Sequence, residues 1–252
     1  MIALPERPVA VTTRPYLCHE RPDLSEHDTR VVAVRPGAVL LSRSALHPGG
    51  GGQCSDTGAI VQDGRTARVT NVVSKGEDHW HVVDEDLVPG PARLRVDLGQ
   101  RLVLSRLHTV AHVINTLVFR SFAGALVNGA QLNRDGTGRI DFDLSAVAGA
   151  DLMALQTEVN TVVRAGAAVT ERYLPYAEAV AREGMARSMA GLPPATDAGV
   201  IRVVEIEGFD QQLCGGLHVT DLSLCGDVRF VKVESKGRQN RRLRFRLADG
   251  NP

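Results

Sequence analysis

The sequence is short of aromatics, of any excess of one charge, of cysteine and of long apolar runs, and each shortage excludes something. Aromatic residues make up 4% of the chain, with a single tryptophan, which argues against broad base-stacking platforms. Lysine plus arginine number 29 and so do aspartate plus glutamate, so the formal net charge is zero. The whole molecule is then no electrostatic magnet for nucleic acid, and any RNA binding must come from a local patch. The four cysteines (Cys18, Cys54, Cys214 and Cys225) lack the spacing of a small disulfide-stapled domain. Cys214 reads as a ligand and the others as reduced thiols. No apolar run approaches a membrane span, and Met1 to Pro8 lack the basic flank and apolar core of a signal peptide. A cytoplasmic protein is expected, with no membrane partner and no nucleotide cofactor.

What is present is an ordinary globular composition, 43% hydrophobic and 23% charged, over 252 residues. That length supports a substantial core and two domains. Residues 1–95 read as short strands punctuated by turns: Thr29 to Pro36, Ala38 to Ser42, Gly58 to Val61, Ala67 to Val73, His79 to Val83 and Ala92 to Asp97. Asp63-Gly64 and Lys75-Gly76 supply hairpin turns, and closely spaced strands of this kind suggest a small β-barrel. Residues 96–252 mix helices and strands. A helix is expected from Leu98 to Phe122, a second from Asp151 to Gly166, and a short one from Tyr176 to Met189. Strands are expected at Ala125 to Gln131, Gly138 to Asp143, Val169 to Pro175, Val200 to Ile206, Val228 to Glu234 and Leu243 to Leu247. In Ile140-Asp141-Phe142-Asp143 alternation puts the aspartates on one face, where they face solvent or support the histidines described next.

Three stretches carry chemistry. In the first long helix His108 and His112 are four apart, so both side chains leave one face and can share a ligand. In Cys214-Gly215-Gly216-Leu217-His218 a thiol and an imidazole flank a pair of glycines that permits a sharp turn. Imidazoles and a thiolate together are the donors zinc takes most readily. The third stretch is Gly49-Gly50-Gly51-Gly52-Gln53, where ordering each glycine costs about 1 kcal/mol relative to alanine. A loop that accepts this cost usually brings backbone N–H groups close to an acceptor. Lys232, Lys236, Arg238, Arg241 and Arg242, with Arg244 and Arg246, form the one clearly basic segment, a reasonable place for phosphates.

These motifs, in this order, resemble the AlaX proteins, free-standing relatives of the editing domain of alanyl-tRNA synthetase. The likeness rests on the Gly49–Gly58 loop, His108-Thr-Val-Ala-His112, Arg139-Ile-Asp-Phe-Asp143, the Cys214–His218 turn and the closing Lys236-Gly…Arg241-Arg242 segment. The resemblance implies an α+β protein, an N-terminal barrel (1–95) joined to a C-terminal α/β editing domain (96–252) whose long helices pack on an antiparallel sheet. It implies Zn2+ held by His108, His112, Cys214 and His218. It also implies hydrolysis of the ester of a wrong amino acid, chiefly serine or glycine, at the acceptor end of mischarged tRNA. Thr109 and Gln53 join the two helix histidines as catalytic candidates, and Gly50, Gly51, Gly52, Gln53, Leu217 and Asp210 as substrate contacts. Lys232, Lys236, Arg238, Arg241 and Arg242 are the expected tRNA contacts. Cys54 stands where the family usually has proline, and Leu217 where it usually has threonine, which removes one hydroxyl beside the metal. Specificity is the property expected to differ first. A metal-stabilised binding module, or a hydrolase of another aminoacyl ester, are the competing readings.

Overall fold

The structure is a computed structural model that describes residues 11–12, 16–145, 148–189, 191–196 and 198–248. The stretch Met1 to Pro8 lies outside those residues. The chain divides into two compact units. One comprises Arg14–Gly50 and Cys54–Leu102, and the other Gly51–Gln53, everything from Val103 onward and the residues before Arg14. Three residues of the glycine loop therefore belong to a different unit from the strands on either side.

In chain order the elements begin with β1 (Val11–Thr12) and the short helix α1 (Leu17–Glu20). Six strands follow: β2 (Glu26–Arg35), β3 (Ala38–Leu41), β4 (Gly58–Gln62), β5 (Arg65–Lys75), β6 (Asp78–Val83) and β7 (Gly90–Val96). They close into a barrel in the order β2-β3-β6-β5-β4-β7, which removes every free edge. Alternation fills its interior: in β5 Ala67, Val69 and Val72 are buried while their neighbours face water. Asp63 and Gly64 turn β4 into β5 with positive φ (48° and 77°), as the Asp-Gly signal requires.

The barrel unit also contains a buried ion pair that the pattern of the sequence does not announce. Arg101 Nη2 lies 2.6 Å from Asp56 Oδ2, and both side chains are almost wholly enclosed. The same guanidinium donates to the carbonyls of Ala45 and Pro22, and the same carboxylate accepts the His47 N–H. Ser55 donates to Asn71, and Thr57 to Gln100. Both barrel-side flanks of the glycine loop are thus fixed by hydrogen bonds, which is not how a flexible linker is built.

The second unit takes up α2 (Leu98–Ser121) from Val103, followed by β8 (Val127–Leu132), β9 (Thr137–Asp143), α3 (Gly149–Ala165), β10 (Val169–Pro175), α4 (Tyr176–Ala181), β11 (Ala195–Thr196), β12 (Val200–Ile206), β13 (Asp210–Leu213), a 3-10 turn at Leu222–Cys225, β14 (Val228–Ser235) and β15 (Asn240–Leu247). The strands form a four-stranded antiparallel sheet, β14-β15-β9-β8, and a three-stranded antiparallel one, β10-β12-β13. β1 pairs in parallel with β11. Its core joins Leu107, Ile114 and Val118 of α2 and Leu152 and Val159 of α3 to Ile140, Phe142, Leu243 and Phe245 of the larger sheet.

Three expectations need correcting. By length and composition α2 could cross a membrane, contrary to the reading that no run is long enough, but 83% of its most apolar window is buried within the protein. The helix that starts at Tyr176 stops at Ala181 rather than running to Met189, since Gly184 follows with φ +76°, outside the helical region. Asp141 neither faces solvent nor supports a histidine. It is buried, with Arg242 binding both its oxygens at 2.7 and 2.8 Å and Arg139 at 2.6 Å.

Candidate metal centre

Helix α2 carries His108 and His112 one turn apart on its inner face, both buried. The chain leaves β13 directly into Cys214, turns through Gly215-Gly216, and returns His218 to the same place. The donor atoms of His108, His112, Cys214 and His218 all lie within 4.8 Å of one another. Cys214 Sγ is 3.3 Å from His108 Nε2 and 3.4 Å from His218 Nε2, and the His112 and His218 rings are 4.6 Å apart.

The turn is held by two devices. A Cβ on Gly216 would lie 2.1 Å from His108 Cε1 and 2.2 Å from Nδ1, so only glycine lets the turn pass under that ring. Arg202 of β12, 2% exposed, donates to the carbonyls of Cys214 (2.8 Å) and Gly216 (2.7 Å) and pairs with Glu171 of β10. The Gly216 N–H points at Cys214 Sγ from 3.3 Å, an arrangement that favours a thiolate.

Other side chains orient the imidazoles. Gln53 Oε1 accepts from His108 Nδ1 at 2.7 Å and from the Leu217 N–H at 3.2 Å. With its proton held on Nδ1, His108 presents an unprotonated Nε2 toward Cys214. Thr109 Oγ1 donates to the Ser105 carbonyl, accepts from the Val219 N–H, and lies 3.1 Å from His218 Nδ1. Beyond His112, Gln212 is bonded to Asn115, Asp210 and the His112 carbonyl, while Asp210 is paired with Arg187.

These residues fit a zinc ion. Three imidazoles and one thiol are the borderline-soft nitrogen and sulfur donors that Zn2+ prefers. Burial lowers the His112 pKa to about 4, so its ring is neutral at physiological pH, the form that ligates. His112 Nδ1 is enclosed without a hydrogen-bond partner among the described residues, an arrangement that is costly unless something binds there. Burial raises the pKa of the Cys214 thiol, and a bound cation would reverse that shift.

The remaining candidate positions fall in several places. Gly51 runs close beside His108 and Gly52 packs so tightly on the Ala130 backbone that a Cβ would sit 2.7 Å from it. Gly50 belongs to the barrel unit. Leu217 is buried, with its N–H on Gln53, and Asp210 is linked through Gln212 to the His112 carbonyl. Lys232, Lys236, Arg238, Arg241 and Arg242 lie on or beside the β14–β15 hairpin, where Glu234 takes both lysines and Asp141 takes Arg242. Sequence reading did not find Arg202, Arg187, Asn115 or Gln212. A buried arginine in a β-rich run has no local signature.

Comparison with known proteins points the same way. Residues 201–244 match the family described as the threonyl and alanyl tRNA synthetase second additional domain. The chain is 31% identical over 231 residues to the alanyl-tRNA editing protein AlaX-M of Saccharolobus solfataricus, a match covering 88% of this chain and 94% of that protein. It is 32% identical over 226 residues to the alanine–tRNA ligase of Pyrococcus abyssi, and 31% over 224 residues to that of Methanothrix thermoacetophila. Each of those alignments covers 86% of this chain but only 24% of the ligase, so the chain spans about a quarter of the ligases' length.

Proposed function

The chain belongs to the family of alanyl-tRNA editing proteins, and from that premise we propose that it deacylates mischarged tRNA. Its substrate would be seryl- or glycyl-tRNA of the alanine type, bound by the acceptor end, in the cytoplasm. The observation that carries the reading is the convergence of His108, His112, Cys214 and His218, with Gln53 locked onto the first. The second unit, from Val103 onward, is the editing domain in this reading, and the barrel unit accompanies it.

The need for such an activity follows from selectivity. A pocket built for alanine cannot strongly exclude glycine, which is smaller, or serine, which adds only a hydroxyl. Hydrolysis after transfer supplies the missing discrimination. The ester is already reactive, so positioning and polarisation suffice, and no covalent intermediate on the protein is expected. A zinc ion held by the four donors would supply Lewis-acid polarisation. His108 and His112 act by holding it, and Gln53 by fixing the His108 tautomer. With them Cys214 and His218 would hold it, His218 being the one donor of the four that is only half-buried. Leu217, Gly51 and Gly52, all of the second unit, would line the amino-acid side of the pocket, with Leu217 in place of the family's threonine adjusting which amino acid is rejected.

The test is a deacylation panel. Zinc-loaded protein should release serine or glycine from alanine tRNA faster than alanine. Equal indifference to every mischarged tRNA would sink the reading. His108→Ala should abolish turnover while the helical circular-dichroism signal persists. Loss of both together would favour a structural metal in a binding module.

A further inference from the structure

The larger sheet of the second unit has one apolar and one cationic face, and the cationic face is assembled across three strands. In register, Arg229 stands opposite Arg246, Lys232 opposite Arg244, and Arg244 opposite Arg139. Arg242 follows in the same row, between Glu234 and Asp141. The other face carries Phe230, Leu243, Phe245, Ile140 and Phe142 into the core. A β-bulge between Phe230 and Lys232 makes this possible. Arg229 and Lys232 are three apart and would fall on opposite faces of a regular strand, whereas the extra residue brings both to the outside.

Like charges directly opposite on a sheet face are destabilising. Here three such pairs stand on one face. Asp141 and Glu234 neutralise part of it through Arg139, Arg242, Lys232 and Arg244. Arg229 and Arg246 are exposed, and the residues across from Arg246 are Arg229 and Thr137, neither a carboxylate. A protein of zero net charge has gathered six cations against two carboxylates on one rigid surface. The face has no aromatic ring for a base to stack on, so it suits a ligand recognised by its charge alone.

We propose that this sheet face is a docking track for the phosphate backbone of RNA, with Arg229 and Arg246 at its open end and Arg139 and Arg244 at its centre. It rests on the tRNA reading above only for which RNA is bound. Contact with phosphates rather than bases makes the binding indifferent to sequence and strongly dependent on salt.

The test uses the full-length, zinc-loaded protein carrying Arg229→Gln with Arg246→Gln, titrated with uncharged tRNA by fluorescence anisotropy across a salt series. The slope of log affinity against log salt should fall by about 1 for each charge removed. With mischarged tRNA, KM should rise and kcat stay unchanged, while a short 3′-aminoacyl-adenosine ester is hydrolysed as before. The thermal midpoint should hold or rise, since a repulsive pair has gone, and Arg229→Lys with Arg246→Lys should restore the slope. An unaltered affinity and slope overturns the proposal, and so would a face that takes an acidic protein instead, because tRNA binding would then be indifferent to both substitutions. If the protein hydrolyses no ester yet the variants still reduce the tRNA salt slope, the deacylase reading falls and the track stands.

Discussion

Gln53 offers one carbonyl oxygen to two buried donors, the His108 Nδ1–H and the Leu217 N–H. Gln53→Leu removes this acceptor from both and with it the bond that fixes the His108 tautomer. Removing such a partner typically weakens metal affinity 10–100-fold. A chelator competition should show that loss while the folded signal remains; unchanged affinity would leave Gln53 as a substrate contact only. Gly216→Ala should act more severely, since its methyl would sit about 2.1 Å from the His108 ring edge. The expected result is loss of bound zinc, read as metal stoichiometry. Gly215→Ala, whose nearest contact is Pro193 Cβ at 3.3 Å, should retain it. The glycine run and the Gly-Gly turn both stood out in the sequence. What did not was the bond between them, because Gln53 and Leu217 are 164 positions apart and nothing local relates them.

At the scale of elements, the turn after β13 keeps its shape through Arg202, whose guanidinium bridges the Cys214 and Gly216 carbonyls to Glu171. Arg202→Met removes donors from two carbonyls in an enclosed place, each worth about 1–3 kcal/mol when orphaned. Denaturant unfolding should show a loss of a few kcal/mol, with zinc affinity falling alongside. A variant as stable as the parent would show that the turn holds itself. Most of the longer strands were legible, β10 and β12 to the residue, because period-two alternation is a local signal, whereas the short strands β1, β11 and β13 were not expected. So was the length of α2. The bulge in β14, the early stop of α4 and the burial of Asp141 were not. Each depends on what a residue meets across the sheet or in the next segment.

For the whole molecule, the division into two units gives two separate levers on stability. In the second unit the four donors come from α2 and from the turn more than a hundred positions later, so a metal that binds only the folded form ties them together. At a thousandfold over its dissociation constant such a ligand stabilises by about 4 kcal/mol. At this chain length, chelation should therefore lower the helix-reported melting midpoint by on the order of 10 °C. A midpoint indifferent to chelator would remove the metal from the account. The barrel carries an acid-sensitive group of its own. His81 is 1% exposed, with Nε2 2.8 Å from Ser44 Oγ, and burial lowers its pKa to about 4. The unfolded chain takes up that proton near the ordinary value of about 6.5 and the folded chain only near 4. Between those values the unfolded state holds more protons, so stability rises with pH and is lost as pH falls from 6.5 toward 4. The shift corresponds to about 3 kcal/mol. Trp80, the single tryptophan, neighbours His81 in β6, so its fluorescence reports this unit directly. In metal-free protein His81→Gln should flatten the Trp80-reported stability between pH 6.5 and 4. An unchanged slope would mean that another group of the barrel takes up the proton.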